Sequence, residues 1–237
     1  MRAVICILIL AMGWALPSFA QSSNASRFVG SGQGWDAVGR LNIANQSMCT
    51  GTMIADDMVL TAAHCLFNAR NGAKIPAAKI EFLAGLQGQT AKAQRSIAAV
   101  YIHPDYVFNR KGEAQMGSDI ALLRLSTPIN SKGVVPFATD ARPNRGDRVG
   151  VVSYTQDNAS TPSLENPCYV IARQRETVVM TCHVEFGASG APVFVVDGNR
   201  APKLISVVSA KAIMGNQRVS IGTVLDGEFQ RLLRLAG

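Results

Sequence analysis

Residues 186–194 read FGASGAPVF, with Ser189 set between alanine and glycine and followed closely by proline. A serine hydroxyl is a weak nucleophile until a neighbouring base removes its proton. Alone, the stretch reads first as a tight turn, so the question passes to the three histidines. His64 closes the segment VLTAAHC, where a strand running into small residues leaves its side chain at a rim. His103 stands in YIHPDY, where Pro104 holds it in an extended or turn conformation. His183 lies between two strand-like residues, six positions before Ser189. Composition does not choose among them, because single histidines serve structure as readily as chemistry.

The elements that must position these groups are short strands. AVGRLNI, KIEFLAG, SIAAVYI, DIALLRL, DRVGVVSY, CYVIAR, TVVMTC, APVFVV and LISVVSA are brief, rich in Val and Ile, and separated by Gly, Pro, Asn or Asp. Several alternate apolar with small or polar residues, the period of a half-buried strand. VFVVDGNRAPKLISVV reads as two strands joined through an Asp-Gly turn, and another hairpin turns near Arg173 to Glu176. Only the end, LDGEFQRLLRLAG, is helical in pattern. Leu225, Phe229, Leu232 and Leu233 share one face, and Asp226 is placed to cap it. The Pro- and Gly-rich stretch from Ser126 to Asp147 reads as a linker between two groups of strands. The expected architecture is all-β, with barrels or sandwiches over residues 21–135 and 136–237.

Residues 1–20 are read apart from the fold. Arg2, an apolar run from Ala3 to Leu16 and small residues at Ser18 and Ala20 match a secretory leader cut after Ala20. A retained anchor is the competing reading, but the run falls short of the roughly 20 residues that span a bilayer. A secreted or periplasmic location without a stable membrane anchor is expected. Cysteine use agrees with export: beyond Cys6, the four residues Cys49, Cys65, Cys168 and Cys182 permit two disulfides. Three pairings are open, and neighbours are favoured, Cys49 with Cys65 and Cys168 with Cys182. No Cys-x-x-Cys or clustered histidine spacing suggests a metal, and no cofactor is expected. The formal net charge of +7 comes from scattered Lys and Arg with few aromatics beside them, which argues against a nucleic-acid partner.

Three segments together carry a resemblance. CTGTMIADDMVLTAAHC (Cys49–Cys65), SDIALLRL (Ser118–Leu125) and GASGAP (Gly187–Pro192) resemble the histidine, aspartate and serine segments of chymotrypsin-fold serine peptidases, in the same order. The resemblance implies two six-stranded antiparallel β-barrels packed side by side with a C-terminal helix, and an exported, monomeric endopeptidase acting on peptides or proteins. It assigns Ser189 as nucleophile, His64 as base, Asp119 as the group that orients His64, and the N–H groups of Gly187 and Ser189 as an oxyanion hole. Asp56, Asp57 and Asp105 compete with Asp119, but none precedes an apolar run like IALLRL. By the same likeness VVSAK resembles the strand that lines the substrate cleft, where Ser209 would support Asp119 or be an ordinary strand serine. His103 is a bystander, and His183 falls near the base of a substrate pocket, where it would bind substrate or serve structure.

The chain departs from the family pattern at Ala188, where the usual segment has aspartate. In the digestive branch that aspartate pairs with a new N-terminal amine, and Ala188 cannot. RFVG (Arg27–Gly30) faintly resembles an activation site, yet without the carboxylate this switch is discounted. Bacterial branches, including glutamyl endopeptidases, also lack the aspartate, and GWDAVGRL followed by CTGTMI looks most like those. The glutamyl enzymes carry their recognition histidine on a later strand, where this chain has Val208. A non-catalytic binding protein on the same scaffold is the alternative function. An α/β-hydrolase does not fit, since its Gly-x-Ser-x-Gly motif is broken by Ala191 and its chain order places serine first.

Overall fold

The computed structural model describes residues 27–28, 34–110, 112–139, 142–195 and 201–237, so the expected leader lies outside the described residues. Apart from a two-residue strand β1 (Arg27–Phe28), the described residues form two successive sets of six strands. The first comprises β2 (Val38–Ile43), β3 (Ser47–Ala55), β4 (Met58–Thr61), β5 (Ile80–Ala84), β6 (Ala93–Ile102) and β7 (Ala121–Leu125). The second comprises β8 (Arg148–Thr155), β9 (Asn158–Gln174), β10 (Thr177–Met180), β11 (Pro192–Val195), β12 (Lys203–Met214) and β13 (Gln217–Val224). Every pairing between these strands is antiparallel. The first set closes in the order β2-β3-β4-β7-β6-β5, and the second is closed by pairing of β8 with β9. The expected pair of six-stranded barrels is present. β1 adds to the second barrel, with Arg27 opposite Leu164 and Phe28 opposite Ser163.

Strands facing one barrel interior alternate, as in β2, where Leu41 and Ile43 point inward. β4 is buried along its whole length and β7, which α2 also covers, nearly so. Apolar packing runs across the seam between the two barrels. The first core continues through Val152, Tyr154, Phe194 and Val207 of the second barrel, and the Phe194 ring lies 5.0 Å from Trp35 and 4.5 Å from Phe137. Burial of such rings is worth about 1.5–3 kcal/mol each, so the two halves dock by their cores. The buried Tyr154 hydroxyl crosses too, donating to Leu86 O at 3.1 Å.

Both favoured cysteine pairs are bonded, Cys49 to Cys65 and Cys168 to Cys182. The second ties the open end of the β9–β10 hairpin, whose turn passes through Arg175. Helix α2 (Gly227–Ala236) starts where Asp226 accepts from Glu228 N, and it buries Phe229, Leu232 and Ala236. A short helix α1 (Glu113–Gly117) leads into β7.

Candidate active site

His64 lies in a single 3-10 turn, Ala63–Leu66, directly after β4. Ala62 and Ala63 are fully buried, so only small side chains fit where the turn folds against the core. The Cys65 disulfide ties the turn to β3. The half-exposed imidazole and its own backbone are both held by Asp119: His64 N donates to Asp119 Oδ1 at 2.8 Å, and Nδ1 lies 2.7 Å from Oδ2. That second bond fixes a proton on Nδ1 and leaves Nε2 as the basic nitrogen.

Asp119 is buried between α1 and β7 at the barrel seam. From the opposite barrel, Ser209 Oγ on β12 donates to Asp119 Oδ2 at 2.5 Å, and Thr223 Oγ1 on β13 donates to Met116 O at 2.6 Å. The carboxylate therefore receives three donors, as a buried charge requires. Burial by itself would lower the pKa of His64. Attraction to Asp119 and its hydrogen bond outweigh that effect, and the imidazole titrates above its ordinary 6.5.

Ser189 sits on the loop between β10 and β11. Its carbonyl accepts from Thr50 N at 2.9 Å, while Thr50 Oγ1 donates to Gly187 O at 3.0 Å and Thr50 O accepts from Thr61 Oγ1 at 2.9 Å. Strand β3 thus grips the loop from the first barrel, and Gly190 N donates to Val208 O at 2.8 Å on the other side. Gly187 has φ +101° and Gly190 φ +74°, values that side chains resist. A Cβ on Gly190 would come within 2.1 Å of Thr61 Oγ1 and 2.8 Å of Ala62 N, two residues before His64. Gly190→Ala is therefore expected to cost about 2–5 kcal/mol, from backbone strain and overpacking together. A denaturant midpoint unchanged from the parent would contradict this packing.

The loop's amides divide into two kinds. Those of Ala188, Gly190 and Ala191 donate to Glu185 O, Val208 O and Ala188 O. Those of Gly187 and Ser189 donate to no acceptor among the described residues. His64 and Ser189 likewise make no hydrogen bond to each other among the described residues; Gly190, next to Ser189, packs on Ala62, two residues before His64.

His183 is half exposed. Its Nε2 lies 2.9 Å from Arg218 Nη1 and 3.3 Å from Glu185 Oε1. With Lys211, which pairs with Glu185 at 2.7 Å, these residues line an open groove of about 470 Å³. His103 is buried elsewhere, 2.8 Å from Glu228 Oε2, and holds α2 against the first barrel. Sequence reasoning missed Thr50 and Thr61, whose contacts join distant segments and leave no local signal. It also missed Glu165, a buried carboxylate on β9 that accepts from His183 N at 2.5 Å.

With the seam and its hydrogen-bonded groups described, the family assignment follows from comparison. The trypsin family model matches residues 28–224, and the chain belongs to that family. It is 27% identical over 173 residues to the cercarial protease of Schistosoma mansoni, covering 67% of this chain and 62% of that protein. It is 22% identical over 197 residues to the inactive snake venom serine proteinase 13 of Crotalus adamanteus, covering 79% and 66%. The chain spans from 30% to 66% of the length of curated relatives such as these. A solved structure of a Glu endopeptidase shares the fold, with a TM-score of 0.75 at 18% identity, covering 91% of this chain and 97% of that one.

Proposed function

We propose that the chain is an exported serine endopeptidase that hydrolyses peptide bonds through an acyl-enzyme, with Ser189, His64 and Asp119 as its working groups. The observation that supports this most is the line of hydrogen bonds from Ser209 through Asp119 to His64 at the seam, beside a loop with two unspent amides. Ser189 Oγ attacks the substrate carbonyl carbon as its proton passes to His64 Nε2. The carbonyl oxygen takes the negative charge and is held by the Gly187 and Ser189 N–H groups. His64 then returns the proton to the leaving amine, the C–N bond breaks, and water repeats the sequence to release the acid. Catalytic hydrogen bonds are often open without substrate and close when it binds, which accommodates the lack of a His64–Ser189 hydrogen bond among the described residues.

His64 must be neutral to act as base. Because Asp119 raises its pKa, kcat/KM is expected to fall as pH drops through a value above 6.5, and a pH profile on a peptide substrate measures it. Lys211 and Arg218 outnumber Glu185 in the groove that His183 lines, so a pocket there would favour acidic side chains before the cut. Profiling the products of a peptide library by mass spectrometry tests activity and preference together. The direct test of the reading is labelling by a serine-directed phosphonate, lost in Ser189→Ala; a folded, processed sample that never labels would refute it.

A second reading, a binding protein on the same scaffold, draws on the relative named as inactive and on the open His64–Ser189 contact. Unchanged ligand binding by His64→Ala, with no turnover in the parent, would favour it. No helix among the described residues is long and apolar enough to cross a membrane, and release as a monomer is part of the proposal.

A further inference from the structure

Three consecutive residues, His183, Val184 and Glu185, are a boundary that two cavities share. One is the open groove of about 470 Å³ that Lys211 and Arg218 also line. The other, of about 220 Å³, is bounded further by Ser153, Thr155, Asn158, Ser163 and Glu165. Glu165 is 3% exposed, and its Oε1 accepts from His183 N at 2.5 Å. Burial pushes its carboxyl up to about 7, opposed by the His183 N–H. The titratable groups that share its cavity are His183 and Glu185, and no Lys or Arg lines that cavity among the described residues. Val151 is its register partner on β8. Arg27 of β1 stands opposite Leu164, at a position on the other face of β9. Lys211 and Arg218 belong to the groove, where they pair with Glu185 and His183. A buried carboxylate without a counter-charge beside it is screened little, so its charge is felt beyond its own cavity.

We propose that Glu165 is a specificity-determining residue: ionised, it opposes an acidic side chain in the groove, and neutral, it leaves Lys211 and Arg218 to hold that side chain against Glu185 alone. The inference deepens the acid-preferring reading of this groove and rests on it. Its sign follows from the charges. While Glu165 is neutral, two cations of the groove face one carboxylate; ionisation of Glu165 makes the two signs equal. With the carboxyl titrating at about 7, the hold on an acidic side chain is full below that value and weakens as pH rises through it. A bound carboxylate in turn raises the Glu165 pKa, so binding near neutrality takes up a proton. At about 10 Å, the spacing of packed layers, and an effective dielectric of about 20, the repulsion amounts to roughly one pKa unit, a factor of about ten in affinity.

The test is equilibrium binding by calorimetry to the Ser189→Ala chain, which consumes no peptide. Two peptides are compared that differ only in Glu or Gln before the bond to be cut. Between about pH 5.5 and 8.5 the peptide's own carboxylate stays ionised. Over that range the Kd of the Glu peptide is expected to rise about tenfold relative to that of the Gln peptide. Adding Glu165→Gln, which keeps an acceptor for His183 N, should leave the Glu peptide tightly bound throughout. Adding His183→Asn instead keeps the N–H that Glu165 holds and removes the ring, so the pH dependence should persist. A dependence that survives in Glu165→Gln, or disappears with the ring, belongs to His183 and overturns the proposal; the second of these outcomes is read even if Glu165→Gln fails to fold. A Glu peptide preferred to the same degree at every pH overturns the inference and leaves the acid-preferring groove standing. A chain that never favours the Glu peptide sinks both.

Discussion

Replacing Ser189 by alanine is expected to lower kcat for peptide hydrolysis by about 10⁶-fold, the scale on which loss of an activated serine is felt. The variant should fold as the parent does. Ser189 is held by its carbonyl, through Thr50 N, and alanine keeps that carbonyl. Its φ is not among the positive values in the loop, so alanine meets no backbone strain. KM should change little, because the hydroxyl acts mainly once attack begins. The loss should not be total: the amides of Gly187 and Ser189 remain, and such donors with binding alone sustain about 10³–10⁴-fold over water. Adding His64→Ala to Ser189→Ala should cost almost nothing further, since a base with no hydroxyl to deprotonate is idle. Single-turnover and steady-state rates on one peptide decide the matter. A Ser189→Ala chain within about tenfold of the parent would mean that another group does the chemistry.

What the sequence disclosed depended on whether a residue's job was local. β2 carries Val, Leu and Ile at the strand period, while β7 and β8 are short Leu- or Val-rich runs buried along most of their length, and all three fill a core. The end helix announced itself by Phe229, Leu232 and the Asp226 cap. β9 was read only from Cys168 onward, because its first half, NASTPSLENP, is polar. That polarity has a cause: Ser163 and Glu165 face a polar cavity rather than the core. β13 escaped notice for a different reason. It begins with exposed Gln217 and Arg218 and holds Gly222, where a Cβ would lie 2.2 Å from Ser206 Oγ of the neighbouring strand. The candidate site shows the same division. Ser189, His64 and Asp119 sit in local segments that resemble a known pattern. Thr50 works instead on Gly187, 137 positions away, and only folding two barrels together creates that contact.

Asp119→Asn is expected to lower kcat by about 10⁴-fold while leaving the hydroxyl, the imidazole and both loop amides in place. Three donors converge on the carboxylate, from His64 N, His64 Nδ1 and Ser209 Oγ. An amide offers one accepting oxygen and must turn its NH₂ toward one of those donors. Facing Nδ1, that NH₂ selects the tautomer with hydrogen on Nε2, which cannot take a proton from Ser189. The charge change has a second, separable signature. With the carboxylate gone, burial becomes the governing influence on His64 and lowers its pKa, where the parent's lies above 6.5. The acid limb of the kcat/KM profile should therefore move to lower pH as the plateau falls. Loss of rate without that shift would mean that Asp119 acts by holding the turn in shape, through His64 N, rather than by governing the proton on the ring.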